Sequence, residues 1–275
     1  MVHDFMVTRN VISAPHDSKF IWFENLSRSQ APALNLVCLP YAGASAQMFH
    51  HWPAHFAREL GICLVHLPGR GKRLHEMPFK RLSLLVDAIV QNMPDELLEY
   101  PFALYGHSMG AILSFEIARA VRRRYGIEPI QLFLSGRSAP HVVQSKAATY
   151  SLPHDEFIAK LRELNGTPRE LLENPEFTEL FLPLLRADFE LVYTYQYRPE
   201  RCLSCPITVY GGLEDKEAPV ADLHAWKEHT SAEFKVRLFP GDHFFINASS
   251  THFLEVLRFD VCGTSSYIAK GMECY

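Results

Sequence analysis

The chain has 275 residues, is 48% apolar and 21% charged, and carries a formal charge of −4 at pH 7. That length buries a substantial core in one large domain or in a domain with an insertion, and the composition is that of a soluble globular protein. The negative balance, without a long basic tract, argues against a nucleic-acid partner, and no apolar run approaches the ~20 residues a membrane span needs.

The opening stretch, MVHDFMVTRNVISAPHDS, lacks the basic-then-apolar order of a secretory leader and reads as a short lead-in. From there, short apolar runs typical of buried strands alternate with amphipathic helical segments. The strand patterns fall at residues 20–23, 34–39, 63–67, 102–105 and 132–135, and the helical ones at 46–60, 82–98 and 109–125. Such alternation predicts an α/β fold with a mostly parallel sheet covered on both faces. After Ser135 the rhythm changes. Residues 151–197 are helical and strand-poor, with Pro153, Pro168 and Pro175 where helices begin. Strand patterns return at 207–210 and 234–239, with a helix between them and another after His243. The expected organisation is a single domain, its core spanning about 20–150 and 200–262, interrupted by a helical insertion at about 151–197.

The first candidate for chemistry is Gly106-His107-Ser108-Met109-Gly110, set between the apolar run FALY and a helix. Glycines flanking a serine at a strand-to-helix turn are what a nucleophile elbow requires. The turn also places the Met109 N–H at a helix start, where it can face a developing oxyanion. In this architecture an acid and then a histidine follow, each beyond a later strand. The strand ITVYG leads into GGLEDKEAP, which offers Asp215 and, as a rival, Glu214; motif spacing favours Asp215. The strand FKVRLF leads into PGDHFFI, which supplies His243.

Other residues read more plainly. His107 adjoins Ser108 on a tight turn and Asp242 adjoins His243, so neither is placed to complete the relay. Asp188 falls in the helical insertion and is expected to pair with Arg186 or another arginine. The small residues after the second strand pattern, in PYAGAS, admit close backbone approach, and the N–H of Ala42, with Tyr41 as the weaker candidate, is the expected second oxyanion donor. The remaining histidines, including His50, His51, His66 and His75, form no metal-binding pattern. Six cysteines are present, and Cys202-Leu203-Ser204-Cys205 has the spacing of half a zinc site without a second pair. Reduced thiols in a cytoplasmic protein are the expected state. Arg119, Arg122, Arg123 and Arg124 cluster at a helix end, where they either attract an acidic partner or complement the helix dipole.

Taken as a set, CLPYAGAS, HLPGRGKR, YGHSMGA, LPLLRADFELVYTY, YGGLEDKEAP and PGDHFFI resemble the type II thioesterases that accompany nonribosomal peptide and polyketide synthases, a group that includes the medium-chain acyl-carrier-protein thioesterases of fatty acid synthesis. The match runs from about Leu34 to the helix after His243. The resemblance implies an α/β-hydrolase fold, Ser108 as acylated nucleophile, His243 as base, Asp215 as its orienter, and a helical lid at 151–197. It implies hydrolysis of acyl or aminoacyl thioesters on the phosphopantetheine arm of carrier proteins, with no cofactor beyond that arm, which belongs to the substrate. Alternatives within this reading are release of medium-chain fatty acids from a carrier protein, and acyl transfer or cyclisation. A carrier domain is the expected partner, and a monomer is the plain expectation. The family's loop often carries two glycines where this chain has Gly43-Ala44.

Overall fold

The computed structural model of the chain describes residues 22–26, 32–56, 60–142, 148–248 and 250–272. Among these, the strands form one seven-stranded sheet: β1 (Phe23–Asn25), β2 (Leu34–Leu39), β3 (Leu60–Val65), β4 (Phe102–His107), β5 (Gln131–Ser135), β6 (Ile207–Gly212) and β7 (Phe234–Phe239). The order across the sheet is β1-β3-β2-β4-β5-β6-β7. Strand β1 runs antiparallel to β3, and every other neighbouring pair is parallel.

Period-two alternation explains why these strands are apolar throughout. Val37, Leu39 and Leu104 enter a core on one face, while Leu36, Cys38, Ala103 and Tyr105 enter a second core on the other. Each residue of β2, β4, β5 and β6 is buried, as a sheet covered on both faces demands. The first core is closed by α1 (Leu82–Gln91), the short α2 (Asp95–Glu99) and α3 (Met109–Tyr125). Helix α3 ends at Gly126, whose left-handed backbone (φ 73°) caps it with an N–H bond to the Arg122 carbonyl.

The insertion comprises α4 (His154–Leu164), α5 (Arg169–Leu172) and α6 (Pro175–Tyr193). Pro153 and Pro168 precede the first turns of α4 and α5, and Pro175 opens α6, where Asn174 accepts a hydrogen bond from the Phe177 N–H. Phe157, Ile158, Leu161, Leu172, Leu182 and Leu185 give these helices a small core of their own. The chain then completes the sheet and adds α7 (Val220–His224), α8 (Phe245–Ala248) and α9 (Ser250–Met272). No helix among the described residues is long and apolar enough to cross a membrane.

Three sequence expectations are corrected. The helix expected at 46–60 is instead two single turns of 3₁₀ helix, Ala46–Phe49 and Trp52–Ala54, and Leu60 already belongs to β3. Pro53 provides the reason: it fits a first turn but cannot continue a longer helix. The helix expected at 82–98 is broken into α1 and α2 at Pro94. Strand β3 begins three residues before the expected 63–67 because Leu60 and Ile62 pair with Leu34 and Leu36. Of the first expected strand, Phe20 and Ile21 lie outside the described residues, and pairing with β3 runs from Phe23 to Asn25.

Candidate active site

Ser108 connects β4 to α3 with φ 52° and ψ −109°, backbone angles that a non-glycine residue rarely adopts. Holding a residue there costs about 1–3 kcal/mol, so the surroundings must enforce it. They do so through backbone crowding. A Cβ at Gly106 would stand 2.0 Å from the Gly110 carbonyl oxygen, and one at Gly110 would stand 2.3 Å from that of Leu39. Both glycines are therefore needed for strand and helix to meet this closely. The Ser108 N–H donates to the Ser135 carbonyl at 2.7 Å, tying the turn to β5.

The three residues expected to form a relay lie together. The Ser108 hydroxyl stands 3.0 Å from His243 Nε2, and His243 Nδ1 stands 2.8 Å from Asp215 Oδ2. Asp215 has its side chain fully enclosed, and its other oxygen, Oδ1, accepts from the N–H groups of Glu217 (2.8 Å) and Ala218 (3.1 Å). The carboxylate is thus fixed at both oxygens. Glu214 is exposed and Asp215 buried, which separates the two rivals by solvent access. Asp242 is engaged elsewhere, accepting from the Phe244 N–H and from Asn165 on the insertion.

His107 points away from Ser108 into the protein, where it is wholly buried and its Nδ1 lies 2.9 Å from the Ser135 hydroxyl. Its ring centroid is 5.0 Å from that of His243 and 5.7 Å from that of Tyr41. Burial, and then the neighbouring His243, push its pKa well below the ordinary histidine value, so it is a neutral packing group.

The Met109 N–H stands at the start of α3, and the Ala42 N–H lies in the loop after β2; neither finds an acceptor among the described residues. In that loop the Ala44 N–H donates to the Tyr41 carbonyl at 3.0 Å, and Gly43 has φ 79°. This is a tight turn with glycine at the position requiring positive φ.

Sequence reasoning missed what holds that turn. Asp188, on α6, accepts the Gly43 N–H at 2.7 Å. The same carboxylate takes both ends of the Arg70 guanidinium, at 2.6 and 2.7 Å, and Arg70 also reaches the Ala44 carbonyl at 3.4 Å. Arg70 and Asp188 are 5% and 1% exposed, so the pair sits in the interior. Arg186, the first expected partner of Asp188, bonds instead to the Tyr150 carbonyl and lies over the Phe157 ring. The available signal is Arg70 in HLPGRGKR, a charge set between two glycines.

The basic cluster on α3 is largely committed within the chain. Arg119 is buried against Glu116 and Glu200, Arg122 binds Glu128 and the carbonyls of Arg201 and Cys202, and Arg123 pairs with Glu200. Cys202 is exposed and Cys205 buried, and burial raises the Cys205 thiol pKa to about 12.

Comparison with known proteins gives consistent matches. The chain is 41% identical to the gramicidin S biosynthesis protein GrsT of Aneurinibacillus migulanus, covering 86% of this chain and 92% of that protein. It is 40% identical to the linear gramicidin dehydrogenase LgrE of Brevibacillus parabrevis, covering 88% and 93%. Among solved structures, the type II thioesterase BorB from the borrelidin biosynthetic cluster superimposes with a TM-score of 0.77 at 32% identity, covering 86% of this chain and 96% of that one. The model of the thioesterase domain matches residues 34–259, almost the whole described sheet, and on that ground the chain belongs to the thioesterase family.

Proposed function

We propose that this protein is a serine-nucleophile type II thioesterase that hydrolyses acyl or aminoacyl groups from the phosphopantetheine arm of carrier-protein domains, clearing aberrant or stalled groups from a nonribosomal peptide or polyketide synthase. The observation that carries this reading is the continuous relay from Ser108 through His243 to Asp215, at 3.0 and 2.8 Å, on a strained elbow. Further support comes from BorB, a type II thioesterase of a biosynthetic cluster, and from the gramicidin S biosynthesis protein GrsT.

In the proposed reaction, His243 Nε2 takes the Ser108 hydroxyl proton as Oγ attacks the thioester carbonyl. Asp215 orients the imidazole and balances its positive charge. The N–H groups of Met109 and Ala42 receive the oxyanion, a contribution of ~3–4 kcal/mol per donor. Collapse breaks the carbon–sulfur bond, and the pantetheine sulfur leaves with the proton held by His243. Water then attacks the acyl-serine with His243 again as base, which regenerates the hydroxyl and releases the acid. The steps balance without a metal or redox group. In this reading the helical insertion acts as a lid, and the chain works as a monomer in the cytoplasm.

The name of LgrE raises a nucleotide-dependent redox reaction as a rival. The loop after β2 argues against it, because Pro40-Tyr41-Ala42-Gly43-Ala44 is not the glycine fingerprint that admits a dinucleotide pyrophosphate. The Gly43 N–H is also already bonded to Asp188. Release of medium-chain fatty acids remains the neighbouring reading within the family.

The test is to present the enzyme with carrier-bound acetyl, aminoacyl and decanoyl groups and quantify the released acids. Turnover of short and aminoacyl groups, abolished in Ser108→Ala, is the expected result. Exclusive release of decanoate would transfer the protein to the medium-chain reading, and an active Ser108→Ala variant would overturn the mechanism.

A further inference from the structure

The buried ion pair between Arg70 and Asp188 plays no part in the relay, yet both partners grip the loop that offers the Ala42 N–H. Asp188 takes the Gly43 N–H on one side of Ala42, and Arg70 reaches the Ala44 carbonyl beyond it. The peptide between Ala42 and Gly43 is therefore held by a residue 145 positions later in the chain. That residue belongs to the helical insertion, not to the sheet that carries Ser108.

The carbon packing says the same. A Cβ on Gly43 would meet Leu185 at 2.7 Å and Phe181 at 2.9 Å, so α6 lies directly on this turn. Phe181, Leu185 and Asp188 are spaced four and three residues apart and share one helical face. Leu184, on the adjoining row, faces Gly69, where an added Cβ would meet it at 3.3 Å. The insertion thus docks with apolar side chains around one carboxylate, which ends on the loop N–H and on a guanidinium. A buried pair of this kind is weak evidence for stability, because the desolvation of both charges offsets their attraction. Its hydrogen bonds to the loop are what hydrophobic replacements would not reproduce.

We infer that Asp188 is a positioning residue: through the Gly43 N–H, and with Arg70 as its counter-charge, it sets the Tyr41–Ala44 turn so that the Ala42 N–H faces the oxyanion, and turnover therefore requires the insertion to be seated on the core. This rests on the proposed Ser108 mechanism and adds to it a residue from the insertion. The defect on losing Asp188 belongs in kcat, since the oxyanion forms only after the substrate is bound.

The experiment uses the full-length enzyme, a soluble acyl thioester of N-acetylcysteamine, and an alkyl trifluoromethyl ketone. Addition of the Ser108 oxygen to the ketone, with its proton passing to His243, creates the same tetrahedral oxyanion. Asp188→Asn is expected to lower kcat about 10–100-fold, below the 10²–10³ for complete loss of a donor, while KM stays within about threefold. The affinity for the ketone should fall by the same factor as kcat/KM. Arg70→Met/Asp188→Leu removes both charges together and guards against misfolding from an unpaired charge; it should melt close to wild type and show the same kinetic defect. Lys80→Ala cuts another link to α6, the 3.2 Å pair with Glu190, without touching the loop, and should stay within about twofold of wild type. The proposal is overturned if either folded Asp188 variant keeps wild-type kcat, or if kcat falls while ketone affinity does not. Ser108→Ala, assayed alongside, separates the two levels: if it is inactive while the Asp188 variants turn over normally, only the positioning role fails. Activity in Ser108→Ala overturns the mechanism beneath it.

Discussion

Two buried polar assemblies, the Ser108–His243–Asp215 relay and the Arg70–Asp188 pair, are built in opposite ways. The relay takes each member from the turn just past a strand, so parallel pairing across β4, β5, β6 and β7 brings Ser108, Asp215 and His243 to one edge of the sheet. The Arg70–Asp188 pair draws one member from the turn after β3 and the other from the middle of α6, and no strand register joins them. The sheet positions the first by backbone geometry. Only side-chain packing and a fully enclosed salt bridge position the second. The relay is mounted on the sheet, whereas the Tyr41–Ala44 loop is tied to the insertion through Asp188.

Substitutions at the relay should produce the largest effects. Ser108→Ala should lower kcat by about 10⁴-fold or more, and Asp215→Asn, which leaves the geometry but favours the wrong imidazole tautomer, by about 10³–10⁴-fold, both with little change in melting temperature. Steady-state kinetics with unfolding controls would show this, and a large stability loss in Asp215→Asn would mean that the acid also holds the fold. Gly110→Ala tests the elbow itself. The added carbon would press on the Leu39 carbonyl at 2.3 Å, so activity should be lost together with about 1–3 kcal/mol of stability in urea denaturation. The Asp188 variants come next, with a 10–100-fold loss confined to kcat. Equal losses at Asp188 and Asp215 would erase the distinction between the two assemblies.

The smallest expected effect concerns pH. His229 is buried against Phe115 and Trp226, lies 2.7 Å from His141, and burial depresses its pKa to about 4. Above pH ~6.5 it is neutral in both the folded and the unfolded chain. As pH falls from there towards 4, the unfolded chain takes up a proton that the folded chain refuses, and stability declines. Between pH 7 and pH 5 this one group should cost about 2 kcal/mol. Urea unfolding of His229→Gln should show a flatter pH dependence over that interval, and an unchanged slope would assign the loss to other groups. His107 is depressed in the same direction and adds to the same trend.

What the sequence made legible follows the same division. Strand β7 and helix α3 were readable to the residue, because apolar alternation and a glycine cap are local signals. The relay was readable because each member follows a strand in a short motif. The helix expected at 46–60 fails because Pro53 divides the segment into separate single turns. An arginine partner for Asp188 is legible in the sequence, but that partner lies 118 residues away, and nothing periodic links LLRADFE to HLPGRGKR. The cluster Arg119–Arg124 shows the reverse: in a charge run that invites an external partner, Arg119, Arg122 and Arg123 are spent on Glu116, Glu128 and Glu200 inside the same chain.

The loops past β6 and β7 are laced together by backbone bonds. The Leu213 N–H donates to the Phe239 carbonyl, and the Glu214 N–H to that of Gly241, both at 2.9 Å. Asp215 and His243 are consequently carried by one stiff assembly. The backbone hydrogen bonds that join Ser108 to it run across β5, through the Ser135 carbonyl on one side and the Gly136-to-Tyr210 bond on the other. In mechanical terms the site is a preassembled acid–base jaw closing on a separately mounted tooth. A change that loosens β5 should lengthen the serine–histidine separation before it disturbs the histidine–aspartate one.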